Sequence, residues 1–236
     1  GIGFLAAVLI GMYRAKKKDM SQEAILDIAI FGILFGFLGG KILYVIVEWK
    51  RFMEDPWSVL GSSGFVVYGG IIIGVLAGYI YTKIKKISFI KYFDLVMPEI
   101  AIAQGFGRIG CFLAGCCYGK ETDSAIGVVF KDSPFAPNGV KLIPTQLMSS
   151  LLLFILVFIL VRYADKTWQR PFKVAGLYMI LYSIGRFFIE GMRTDQLLLP
   201  GTGIAVSQML GLLLFVLTTI AEIGIQIYLK KKKINN

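Results

Sequence analysis

Hydrophobic residues along this chain fall into seven runs separated by polar stretches: Gly1–Met12, Ala24–Val47, Gly64–Thr82, Asp94–Gly115, Gln146–Arg162, Val174–Ile189 and Gly203–Leu229. A hydrocarbon core about 30 Å thick takes roughly 20 apolar residues of helix, so runs of this kind predict membrane spans. The first run is too short to span alone. It begins without an initiator Met, so a few residues are expected to precede it. A signal peptide is the weaker reading, because the basic residues Arg14, Lys16, Lys17 and Lys18 follow the apolar stretch instead of leading it.

The polar stretches carry an orientation signal. Four basic residues follow the first run, four the third (Lys83, Lys85, Lys86, Lys91), four the fifth (Arg162, Lys166, Arg170, Lys173) and four the seventh (Lys230 to Lys233). The alternate loops hold only Lys50 and Arg51, then Lys120, Lys131 and Lys141, then Arg193. Positive charge collects on cytoplasmic loops, so this alternation places the N-terminus outside and the C-terminus in the cytoplasm. The expected fold class is therefore all-α: a polytopic integral membrane protein of about seven transmembrane helices, forming one transmembrane domain over residues 1–236. The one sizeable polar stretch, Tyr118–Thr145, contains Pro134, Pro137, Asn138, Gly139 and Pro144 and reads as an ordered extracytoplasmic loop or small subdomain.

Composition strengthens the membrane reading. The chain is 56% hydrophobic and 17% charged, with a mean hydropathy of +0.72, against roughly 45–50% and 25% in soluble domains. A net charge of +10 is accounted for by basic loops facing an anionic leaflet, and no nucleic-acid partner is expected. Histidine is absent, which excludes a Ser-His-Asp triad, a His-ligated metal and a His general base. The three cysteines, Cys111, Cys116 and Cys117, lie too close together in sequence to frame a disulfide-stapled fold and mark a site or a tightly packed helix end.

The densest chemical signal is Gly105-Phe106-Gly107-Arg108-Ile109-Gly110-Cys111-Phe112-Leu113-Ala114-Gly115-Cys116-Cys117-Tyr118-Gly119. Glycines around one Arg in an apolar run serve either close helix packing or an unwound backbone whose N–H groups face an anion. Pro98-Glu99 precedes it in the same run, and Arg186 and Glu190 form a second intramembrane pair at i,i+4 spacing. An unpaired Arg at membrane depth costs several kcal/mol, so Arg108 and Arg186 are expected to face one polar cavity, with Glu99 or Glu190 pairing at least one of them. A phospholipid phosphate suits two guanidinium groups. Tyr68-Gly69-Gly70 opens the third run near the outer interface, and Gly39-Gly40-Lys41-Ile42-Leu43-Tyr44 combines small residues with a Lys able to snorkel or meet a phosphate.

Taken together, these motifs resemble the phosphatidylglycerol–prolipoprotein diacylglyceryl transferase family of bacterial inner membranes. The family's Gly-Arg-Ile-Gly-Asn signature is similar to the run from Gly107 to Cys116 followed by Cys117-Tyr118-Gly119, and its His-Gly-Gly motif to Tyr68-Gly69-Gly70. Its Arg-Phe-x-x-Glu-x-x-Arg-x-Asp motif is similar to Arg186 through Glu190 and Arg193 to Asp195, its Pro-Thr-Gln step to Pro144-Thr145-Gln146, and its Gly-Ala-Arg-Leu-Tyr to Gly40 through Tyr44. The resemblance implies transfer of a diacylglyceryl group from phosphatidylglycerol to the lipobox Cys thiol of a prolipoprotein at a multi-pass inner-membrane site, with glycerol phosphate released and no metal or other cofactor. It implies catalytic positions at Arg108, Arg186, Tyr68, Cys111 and Cys116. Substrate-binding positions would be Lys41, Tyr44, Gly69, Gly70, Gly107, Gly110, Gly119, Glu190 and Arg193.

This chain departs from the family pattern at four polar positions: Tyr68 stands for the family's His, Cys111 for its Asn, Ala114 for its second Asn and Cys116 for its Glu. Two alternatives therefore stand beside the main reading. One is a related transferase with another acceptor or a covalent Cys intermediate, and the other is a thiol redox or metal-handling protein. Arg108 is expected to act most strongly on Cys111, three residues on, with Cys111 reduced and Cys116 and Cys117 nearer the loop. Reporter fusions along the chain test the topology: a fusion at Lys131 should report an outside location, and a cytoplasmic signal there would overturn the orientation.

Overall fold

The computed structural model describes residues 1–167, 170–194, 198–199 and 201–234. Nine helices and one two-stranded hairpin follow in chain order among the described residues: α1 (Ile2–Lys17), α2 (Gln22–Val47), α3 (Trp49–Glu54), α4 (Pro56–Gly61), α5 (Val67–Ile84), α6 (Phe89–Ala114), β1 (Val128–Val129), β2 (Lys141–Leu142), α7 (Thr145–Thr167), α8 (Lys173–Gly191) and α9 (Val206–Ile234). The all-α expectation holds, with helix over every hydrophobic run. Several helices outrun the apolar stretch, as α1 does through Arg14, Lys16 and Lys17, because Lys and Arg are themselves good helix formers.

Five helices, α2, α5, α7, α8 and α9, are long and apolar enough to cross a membrane. The other two expected segments are helical but fall outside that set: α1 has 16 residues, and Lys91, Asp94, Glu99 and Arg108 interrupt the apolar surface of α6. In the apolar window of α9 only 6% of residues are buried within the chain. A surface of Leu212, Leu213, Leu217 and Ile220 turned outward is tolerable only in contact with lipid.

The chain divides into two compact units, Gly11–Tyr92 and Gly1–Ile10 with Phe93–Asn236. In Gly11–Tyr92, α2 and α5 pack glycine on glycine, with Gly32, Gly36 and Gly39 on one helix against Gly74, Gly70 and Gly69 on the other. Small residues let two backbones approach where hydrocarbon supplies no hydrophobic drive between helices. The approach is tight at Gly39, where an added Cβ would stand 2.5 Å from both the Gly69 carbonyl oxygen and the Ile73 Cβ. Ser21 caps α2, its hydroxyl accepting from the Ala24 N–H at 3.1 Å, and the Tyr81 hydroxyl donates to Asp27 Oδ2 at 2.6 Å. The short helices α3 and α4 were not anticipated. Six residues carry little periodicity, although Asp55-Pro56 is a capping signal, and Asp55 does accept from the Ser58 N–H at 3.1 Å.

In the other unit, α6, α7 and α8 share a core of Met97, Ala101, Leu153, Leu156, Leu160, Ala164, Val174, Ala175 and Tyr178. Several polar groups of these helices are partnered across them. Asp94 Oδ1 accepts from the Ala175 N–H at 2.8 Å in the first turn of α8, and the Tyr178 hydroxyl donates to Gln104 at 2.9 Å. The Ser150 hydroxyl donates to the Gly105 carbonyl at 2.9 Å. Lys173 pairs with Glu222, tying α8 to α9. Between α6 and α7, the stretch expected as an ordered loop folds on itself: β1 pairs antiparallel with β2, and Phe130, Ala136 and Leu142 form a small core against Phe112, Tyr118 and Val140.

Gly39→Ala should lower stability by about 1–3 kcal/mol, because the new methyl meets backbone that has no soft direction to yield. Gly32→Ala, with nothing within 4 Å of its Cβ position, should be neutral. Thermal melts of both variants in detergent provide the check; equal melting temperatures would refute the tight contact.

Candidate functional site

Arg108 on α6 and Arg186 on α8 line one cavity of about 330 Å³. The expectation that both guanidiniums face a shared space is met. Around them stand Ser149 at the start of α7 and an aliphatic wall that includes Leu152, Leu156 and Ile159 of α7 and Leu181 of α8. From Ser149 to Ile159 the wall follows α7 for about 15 Å, at 1.5 Å rise per residue. A cationic mouth leading into an aliphatic slot is complementary to an amphiphile with an anionic head.

Glu190 organises the mouth. Its Oε2 lies 2.8 Å from Arg186 Nη2 and 3.2 Å from Arg193 Nη1, with the carboxylate almost wholly buried. The Arg186 contact follows from i,i+4 spacing, and the Arg193 contact from the turn after α8, where the Arg193 N–H donates to the Glu190 carbonyl at 3.0 Å. One carboxylate between two guanidiniums leaves the group net cationic. No ion pair joins Arg108 to a carboxylate among the described residues, so its charge is available to the cavity. The pairing expected of Glu99 or Glu190 is thus made by Glu190. Arg193, expected at the substrate, has its guanidinium on Glu190 and its backbone bridged to Gly119.

The glycine run around Arg108 is neither unwound nor tightly packed as a whole. The helix continues unbroken to Ala114. Gly107 and Gly110 have nothing within 4 Å of their Cβ positions, while a Cβ at Gly105 would approach the Phe154 ring at 2.9 Å. Gly107 and Gly110 leave bare helix backbone beside Arg108 and stand outside the cavity lining. Gly119 is under real constraint, since a Cβ there would meet Ile143 Cβ and Thr145 Cγ2 at 2.8 Å.

After α6 the chain reverses over the cysteines. Gly115 and Cys117 adopt left-handed backbone, φ +73° and +60°, and the Cys116 N–H donates to the Cys111 carbonyl at 3.1 Å. α7 fixes the reversal: Thr145 Oγ1 donates to the Cys117 carbonyl at 2.7 Å and Gln146 Nε2 to the Cys116 carbonyl at 2.6 Å. All three thiols are free, and their sulfurs lie within 4.8 Å of one another. Cys116 and Cys117 therefore do not separate from Cys111 toward the loop, as the helical extrapolation anticipated. The thiol drawn toward the thiolate is Cys117: a hydrogen bond from the Cys111 thiol and the Arg193 and Arg108 charges lower its pKa against the opposing effect of burial. Cys116 is pushed up, by burial and by the neighbouring Cys117 charge.

The residues of the third and second runs belong to Gly11–Tyr92. Lys41 donates to the Ser62 carbonyl at 2.7 Å and the Gly64 carbonyl at 3.3 Å and lies 5.2 Å from the Tyr44 ring centroid. Its ammonium thus closes the chain after α4, and the Tyr44 ring fills the space a side chain at Gly64 would need. Gly69 and Gly70 face Gly39 and Gly36 across the α2–α5 contact, and Tyr68 is exposed at the start of α5.

A family model described as prolipoprotein diacylglyceryl transferase matches residues 1–223. The chain belongs to this family. Among its relatives, the phosphatidylglycerol–prolipoprotein diacylglyceryl transferase of Clostridium tetani is 48% identical over 195 residues, covering 82% of this chain and 78% of that protein. The protein of Clostridium perfringens named phosphatidylglycerol–prolipoprotein diacylglyceryl transferase 2 is 44% identical, covering 83% and 77%. The Clostridioides difficile transferase is 36% identical and covers 99% of this chain and 90% of its own length. Within a diacylglyceryl transferase family member, three site features escaped the sequence reading: the aliphatic wall, Ser149, and the hold of Thr145 and Gln146 on the cysteine turn. Pro144-Thr145-Gln146 was the available signal, read as a helix start without a role.

Asp195, the last residue of the late motif, lies outside the described residues. Glu190→Gln removes the countercharge of two largely buried guanidiniums, and the expected loss is about 3 kcal/mol. Chemical or thermal unfolding measures it; a variant as stable as the parent would show that Glu190 is not the anchor of the mouth.

Proposed function

We propose that this chain transfers the diacylglyceryl group of phosphatidylglycerol to the lipobox cysteine of a prolipoprotein. The observation that carries the reading is the cavity in which Arg108 and Arg186 stand at one end of an aliphatic wall. The guanidiniums hold the phosphodiester, the wall takes acyl chain, and the glyceryl carbon next to the phosphate ester oxygen sits between them. The incoming thiolate attacks that carbon. A C–S bond forms as the C–O bond to phosphate breaks, the electron pair leaves with glycerol phosphate, and the thiol proton passes to solvent or to the leaving phosphate. Positive charge fixed at the leaving group stabilises the charge that builds there, and the protein pays no reorganisation cost at that moment.

The same proposal includes a multi-pass bacterial inner-membrane location, about seven spans in one transmembrane domain and the chemistry at the outer leaflet. It rests on the alternating basic loops and on the position of the cysteine turn and both arginines at the ends of α6 and α8 that adjoin the Tyr118–Thr145 stretch.

Purified protein given phosphatidylglycerol labelled in the diacylglyceryl group and a lipobox peptide should label the peptide. Arg108→Lys and Arg186→Lys keep a charge but lose the planar fork, and each should lower kcat/KM roughly 10- to 100-fold. No labelled peptide from the folded parent, or full activity in both variants, would overturn the reading.

A further inference from the structure

The three cysteines of the chain meet where α6 ends, Cys111 in its last turn and Cys116 and Cys117 in the reversal after it, and none is needed as a ligand or nucleophile in the transfer just described. Their sulfurs lie within 4.8 Å of one another. Three thiolates bound in a plane at about 2.3 Å from one ion would stand about 4 Å apart, so less than an ångström of closure brings these three onto a common centre. The turn is built to hold them there. Left-handed backbone at Gly115 and Cys117 folds the chain back on the end of α6, and the Thr145 and Gln146 side chains grip the carbonyls of Cys117 and Cys116.

We propose that Cys111, Cys116 and Cys117 form a binding site for a soft, thiophilic cation, with three-coordinate Cu(I) as its preferred occupant. Thiolate donors select soft ions. Zn(II) almost always completes a tetrahedron, and among the described residues no carboxylate or further thiol joins the three sulfurs; the chain has no histidine to supply a fourth ligand. Binding converts thiols to thiolates with release of up to three protons, and no electron is transferred. This assignment departs from the expectation of no metal and stands apart from the transferase reading.

The test uses the reduced full chain in detergent under anaerobic conditions, with Cu(I) supplied from its bicinchoninate complex. Because the cluster contains every cysteine, a thiol count reads the cluster alone. One equivalent of Cu(I) should leave the chelator, the count of reactive thiols should fall from three to none, and excess chelator should restore it. Zn(II) should bind more weakly than Cu(I). Cys117→Ser should weaken Cu(I) binding by roughly 100-fold or more, the loss of one of three soft ligands. Failure of the parent chain to withdraw Cu(I), a thiol count that stays low after chelation and so reports a disulfide, or tighter Zn(II) binding would each overturn the proposal. The parent-chain measurements decide the matter even where the variant does not fold, and none of them depends on transferase activity.

Discussion

A guanidinium in a helix bundle surrounded by hydrocarbon must find a countercharge or an anion, and the cationic end of this bundle depends on how one carboxylate meets that demand. Glu190 accepts from Arg186 one turn back along α8 and from Arg193 in the turn that ends it. The single acid fixes the direction of both arginines without cancelling them, so the cavity mouth remains positive. A second acid beside Arg108 would have neutralised the mouth; its absence among the described residues leaves Arg108 to be satisfied by what binds. On the proposed reading, the phosphate of the lipid completes the electrostatic balance of this end of the bundle.

The remaining parts of the site follow from holding that end in place. Gly119 runs beside Arg193 as a backbone bridge, the Lys120 N–H donates to the Met192 carbonyl at 2.9 Å, and the Gly119 N–H donates to the Ile143 carbonyl at 2.9 Å. The chain leaving α6 is thereby stitched to the end of α8 and the start of α7. Substitution at Gly119 would push these three apart, because its Cβ position is already bounded by Ile143 and Thr145. The cysteine turn occupies the corner so formed. Its position is a consequence of the same stitches that position the arginines.

How much of this was legible in the sequence depends on the range of the interaction. The helices under the hydrophobic runs and the Arg186–Glu190 pair are set by local periodicity, and both could be read directly. The cysteine cluster could not. A helical extrapolation keeps Cys111 on the Arg108 face and carries Cys116 onward, whereas the real path turns at Gly115 through a left-handed residue and is gripped by Gln146, thirty positions away. The contacts of Lys41 were hidden for a similar reason. Its neighbours in sequence are apolar, and the carbonyls of Ser62 and Gly64 that engage it come from the far side of two short helices without periodicity of their own. The glycines of the Arg108 run divide: around Gly107 and Gly110 the backbone is ordinary helix with nothing near the Cβ positions, whereas Gly115 is left-handed and Gly119 is closely bounded.

The two halves of the cavity contribute differently to recognition. In water, an aliphatic wall such as Leu152, Leu156 and Ile159 would dominate affinity through apolar area removed from solvent. A lipid already has its chains in hydrocarbon, so moving one against this wall removes almost no apolar surface from water and gains only packing. The wall then decides which shapes fit and where the chain lies. Binding energy and discrimination fall to the head group, where guanidiniums meet an anion in a region of low dielectric constant and each charge-assisted contact is strong. In the proposed function, the glyceryl carbon lies at the junction of these two regimes. The junction is the one point on the lipid whose position is fixed from both sides, by charge above and by shape below, and it is where a displacement at carbon needs the precision.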